Sequence, residues 1–131
     1  MQSHVSVYLT QETMDVVATT FPYLVDKKKA TGGGGVGALH WHIIDSRKSF
    51  WVGRGPKAVQ IIPLSVMHGF AGGKKTPFEF TGFRIKEISY VSDCNEIPQR
   101  TMDLMEGSKV LVIDALKCEL DQQHAICIRR H

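Results

Sequence analysis

IIPLSVMHGF (residues 61–70) and ISYVSDCNEIPQRTMDLMEGSKVLVIDALK (residues 88–117) decide the fold of this chain. In the first stretch an apolar strand, Lys57–Met67, delivers His68 into a turn that opens with Gly69. Pro63 has no N–H to give to a strand ladder, so this strand is expected to be an edge or bulged at that point. In the second stretch the strand Glu87–Ser92 delivers Asp93 into another turn. Between them, Phe78–Arg84 reads as a strand with a tight connection at Ile85-Lys86. Pro98 suits the first turn of a helix, where its missing N–H costs nothing; the helix runs to about Glu106 and Gly107 stops it. Lys109–Ile113 is a continuous apolar run and predicts a fully buried strand ending at Asp114.

Upstream of these stretches, Val5–Leu9 (VSVYL) is a strand that begins almost at residue 1. Thr10 is a good N-cap for the helix that follows, and Glu12 and Asp15 lie in or near its first turn. Met14, Val17, Ala18 and Phe21 fall at helical spacing and are expected to face a core. Pro22 kinks that helix or begins a second turn through Tyr23-Leu24-Val25. Lys27-Lys28-Lys29 reads as a solvated helix end. Thr31–Gly37 (TGGGGVG) lacks the flanking strand, helix and Lys-Ser/Thr of a phosphate loop and reads as a linker. Ala38–Ile44 is a strand with His40 and His42 on one face and Trp41 on the other. A His-x-His pair on a strand can bind zinc, but without nearby acidic or cysteine partners it reads as a half-exposed strand face. Ser49–Val52 is a further apolar segment. Arg54 sits in a Gly-Pro turn, and Phe70–Thr76 is a loop of the kind that borders active sites. Strands in hairpins, helices without strict alternation and no internal repeat define an α+β chain.

The bulk properties narrow the function classes. A chain of 131 residues suits one domain with a real core. A net charge of +3 with scattered basic residues gives no footprint for nucleic acid. No apolar run approaches roughly 18 residues, so no membrane span is expected. Three cysteines (Cys94, Cys118, Cys127) at no zinc-ribbon spacing point to a reducing compartment, the cytoplasm or the nucleus.

The segments PLSVMHG (63–69), ISYVSDCNEIP (88–98) and VLVIDALK (110–117), with VSVYLTQETMDVVATTFPYLV (5–25) ahead of them, resemble the metallo-β-lactamase-fold hydrolases. The likeness is to their phosphodiesterase-like branch, which includes the accessory phosphodiesterase of carbon–phosphorus lyase systems. The resemblance implies a partial αββα sandwich over residues 1–117 and a divergent tail over 118–131. It implies metal ligation by His68, matching the family's lone histidine, and by Asp93, matching its bridging aspartate. Asp114 would support the ligands from behind or cap its strand. The family site holds two divalent ions, zinc or manganese. The bridging carboxylate offsets two cations, and the activated water attacks a small phosphodiester or ester.

The family's His-x-His-x-Asp-His motif occurs nowhere in the chain, and His40-Trp41-His42 does not replace it. His124 and His131 are the only late histidines, and they read as part of a short charged tail. The chain is therefore expected to be an internal piece with an incomplete metal site and no catalytic set of its own, so it would hold no metal tightly by itself. Taken without the resemblance, His68 reads as a capped or hydrogen-bonded core histidine and Asp93 as an N-cap or Asx-turn residue. Two functions follow: part of a metal-dependent phosphodiesterase-like hydrolase, or a non-catalytic, self-associating module that forms a homo-oligomer.

Overall fold

The computed structural model describes residues 4–29, 38–69 and 78–113. Two units divide at residue 45, Met1–Asp45 and Ser46–His131. In the first, β1 (Val5–Leu9) pairs in parallel with β2 (Leu39–Ile43). Between them come α1 (Gln11–Thr20), α2 (Pro22–Val25) and a single 3-10 turn at Lys27–Lys29. The Thr10 hydroxyl accepts from the Thr13 N–H at 3.3 Å and so caps α1. Pro22 opens α2, where its fixed φ fits the first turn. The apolar stripe of α1 departs from expectation: Met14 and Val17 are half-buried, and Ala18 and Phe21 are exposed. A two-stranded sheet and two short helices offer too little surface to cover a helix face.

The second unit is a five-stranded sheet in the order β3-β4-β5-β6-β7. Its strands are β3 (Phe50–Val52), β4 (Val59–His68), β5 (Phe78–Ile85), β6 (Ile88–Val91) and β7 (Val110–Ile113). The first three pairings are antiparallel, and β6 and β7 are parallel. A parallel pair needs a crossover, supplied here by α3 (Gln99–Met105), which starts after Pro98 and ends before Gly107 at φ +81°. The tight turn between β5 and β6 falls at Lys86-Glu87, one residue later than the sequence suggests, with Lys86 at φ +54°. Leu64, Val66, Val91 and Cys94 form the buried core, with Ile97, Leu104, Met105 and Ile113 packed on it. Arg84 holds the end of α3 in place: its guanidinium donates to the Leu104 and Glu106 carbonyls at 2.7 and 2.5 Å. Those carbonyls have no partners within the helix, so the arginine supplies what the helix end lacks.

Pro63 is explained by alternation along β4. β3 pairs with β4 only over Val59–Ile61, so beyond that point the strand is an edge on one side. The backbone groups of Ser65 and Met67 point to that side, where Thr101 Oγ1 donates to the Ser65 carbonyl at 2.5 Å. Pro63 shares their phase, and its missing donor faces the open edge. β7 corrects another expectation: Val110, Leu111 and Val112 are 49%, 38% and 44% exposed, not buried. Among the described residues it lies at the end of the strand order, with β6 beside it on one edge only.

Candidate functional site

His68 is the last residue of β4, and Gly69, at φ +50°, turns the chain behind it. The His68 ring stands edge-on to Phe80, with centroids 5.4 Å apart. Its Nδ1 is buried and has no hydrogen-bond partner. A hydrogen-bonded core histidine would not leave that atom unmatched.

Asp93 lies two residues past β6 and is exposed. In the sheet, β5 separates β4 from β6, which would set their ends two strand spacings, roughly 10 Å, apart. The segment after Asp93 closes that gap. Cys94 is buried in the core, and the Asn95 and Glu96 N–H groups donate to the Met67 carbonyl at 2.8 and 3.2 Å. Met67 N–H returns a bond to the Glu96 carbonyl at 3.0 Å. The turn carrying Asp93 is therefore laced to the residue immediately before His68. No hydrogen bond or ion pair joins the two side chains, and among the described residues no group of three His, Cys, Asp or Glu side chains is placed to hold one ion. Asp114, His124, His131, the glycine linker and the loop at 70–76 lie outside the described residues.

Sequence reasoning missed two features. One is the Met67 ladder, which depends on a backbone return that no residue type announces. The other is a cleft of about 590 Å³ on the open edge of β4, with Arg47, Arg100, Ser49, Gln60, Ser65 and Thr101 in its lining. Met67 lines this cleft too, and alternation along the strand turns His68 to the opposite face. Arg54 is exposed in its turn. His40 and His42 belong to the other unit.

A strand-rich α+β domain that ends its central strands in a histidine and an aspartate belongs to the class of scaffolds that carry chemistry at strand ends. Its family is established by the match of the beta-lactamase superfamily domain to residues 1–126: the chain belongs to that family. It is similar to a solved structure described as a new diphosphatase from the PhnP family, with 20% identity and a TM-score of 0.59. The similarity covers 84% of this chain and 34% of that one, so the chain spans about a third of that protein's length. At this identity the likeness shows a shared fold. No curated protein matches the chain. No helix among the described residues is long and apolar enough to cross a membrane.

The metallo-β-lactamase superfamily generally uses divalent metals. His68 fits such an ion, because an unpartnered buried imidazole nitrogen is a donor in waiting. An imidazole with a carboxylate is also a donor pair that zinc and manganese accept.

Proposed function

We propose that this chain is part of a metal-dependent hydrolase acting on a small phosphodiester or related phosphate ester. His68 and Asp93 serve as two of its metal ligands, and Asp114 takes the supporting role that the resemblance implies. The observation that carries the reading is the Met67 ladder, which ties the Asp93 turn to the strand end bearing an unpartnered His68 nitrogen. Membership of the family and the PhnP-family diphosphatase likeness support the substrate class. A bound divalent metal supplies charge stabilisation at phosphate oxygens and a more acidic water. His68 contributes a fixed neutral donor, and Asp93 contributes negative charge from an exposed position. Two ligands are too few for a catalytic ion, so turnover by the chain alone is expected to match metal without protein. The cysteines, lacking any zinc-ribbon spacing, support a reducing compartment, cytosol or nucleus.

The test uses manganese, which favours a carboxylate-containing site over clustered imidazoles. Titration of chelator-treated chain, followed by water-proton relaxation, is expected to show saturable binding that His68→Ala/Asp93→Ala loses. An unchanged curve in the double variant sinks the ligand assignment. Cleavage of a chromogenic phosphodiester above the metal control, lost in Asp93→Ala, would show instead that a working site assembles from this chain.

A second reading, a non-catalytic module that self-associates, draws on one observation. Ile85, Ile88 and Val110 stand in register across three strands, with Tyr90 and Val112 beside them. All five are 42–50% exposed, on the face opposite the buried Ser89 and Val91. A continuous apolar stripe of this kind marks an association surface. Sedimentation velocity is expected to show a concentration-dependent dimer that Ile88→Lys/Val110→Lys returns to monomer; a wild-type monomer at all concentrations rules this reading out.

A further inference from the structure

The β1–β2 pair carries a row of rings that the hydrolase reading leaves unused. The parallel register sets Ser6 opposite His40 and Tyr8 opposite His42. Side chains alternate along a strand, so His4, Ser6 and Tyr8 share a face with His40 and His42. Ser6 is small, and its place opposite His40 leaves room for the His4 ring. The His4 and His40 centroids are 5.7 Å apart, and those of His40 and His42 are 5.0 Å apart. Tyr8 stacks on His42 at 4.5 Å with an interplanar angle of 12°, which fixes the plane of that imidazole. His42 Nε2 is nonetheless buried without a hydrogen-bond partner.

These distances have a chemical meaning. Two imidazoles on one tetrahedral ion, each nitrogen about 2 Å from the metal, hold their centroids roughly 5 Å apart. Both neighbouring separations in the row are close to that value. A His-x-His pair on one strand presents two donors from a rigid backbone, and the parallel ladder brings the third from the residue just before β1. Imidazole sets of this kind suit zinc, copper and nickel rather than magnesium or calcium.

We propose that His4, His40 and His42 form a three-imidazole site for a zinc-like divalent ion, with water in the fourth position. In the structure the rings stand edge to face, and no three such side chains yet surround one point. Closing the site takes rotation of the His4 and His40 side chains, both exposed, on an unmoved backbone ladder. The sequence alone offered only a His-x-His pair; the third ligand appears because β1 and β2 are parallel and in this register.

The test is zinc titration of the full, chelator-treated chain by calorimetry, with cobalt(II) as a spectroscopic substitute. One zinc equivalent and the intense visible absorption of tetrahedral cobalt are expected. Both should be lost in His40→Ala/His42→Ala and kept in His68→Ala/Asp93→Ala. His4→Ala, which lies outside the paired strand, should also lose the cobalt absorption while the circular dichroism of the chain is unchanged. The proposal is overturned if the wild type takes up no zinc. It is also overturned if the His40/His42 variant binds zinc as the wild type does, or if only the His68/Asp93 variant loses it. Manganese binding at His68 and Asp93 is read separately, so either site can fail without the other.

Discussion

Gly82→Ala is expected to destabilise the second unit by about 3 kcal/mol, the upper range for overpacking a tight site. Gly82 lies in β5 opposite Leu64, a side chain with no exposure at all. A Cβ at Gly82 would stand 2.6 Å from the Tyr90 carbonyl oxygen and 3.1 Å from a Val91 methyl. The first of these is backbone in the neighbouring strand and cannot swing away. Relief requires β5 and β6 to part, which withdraws Val91 from its packing with Leu64 and Val66. Cys94, and with it the turn carrying Asp93, hangs from that same cluster. Urea unfolding of the variant beside the wild type measures the loss, and manganese affinity should fall with it. A change under about 0.5 kcal/mol, the ordinary scatter of a surface substitution, would mean that β5 and β6 are less closely paired than described.

Much of the second unit could be read from residue types because its punctuation is strong. Pro98 and Gly107 bracket α3 for reasons of φ and lost donors, and Pro63 announced an open edge that β4 does have. Thr10 capped a helix as its hydroxyl predicts. Burial was less legible. The run at Val110–Ile113 looks identical whether a strand is central or terminal, because period-free apolar sequence encodes what a strand can bury and not what arrives to cover it. The stripe on α1 failed in the same way: Ala18 and Phe21 have helical phase, but phase names a face without supplying its partner. At the candidate site, His68 ends β4 and Asp93 follows β6 by two residues, as the apolar runs suggest. The tie between the Asp93 turn and the His68 strand end depends on the bonds of Asn95 and Glu96 to Met67, which are backbone bonds that any residue pair could make. The histidine row is a third case: alternation put His40 and His42 together, while His4 joined them through a register that no local pattern encodes.

His68→Leu is expected to raise the stability of the metal-free chain by about 1 kcal/mol and to abolish manganese binding. The sign of the first effect separates the two readings of this residue. If His68 were a structural histidine, its ring nitrogens would be bonded, and an aliphatic replacement would cost roughly the value of those bonds plus any partner left unpaired. Nδ1 is instead buried and unmatched, and the ring packs perpendicular to Phe80. An unsatisfied buried polar atom costs about 1–3 kcal/mol, and the lower end applies because His68 is only half-buried. Leucine removes that penalty and keeps the packing against Phe80. Stability gained where an ion is lost is the trade expected of a position kept for ligation rather than for the fold. Urea unfolding in chelator gives the sign, and relaxation titration of the same sample gives the metal. A loss of stability in His68→Leu would return the residue to the core and leave Asp93 without its partner ligand.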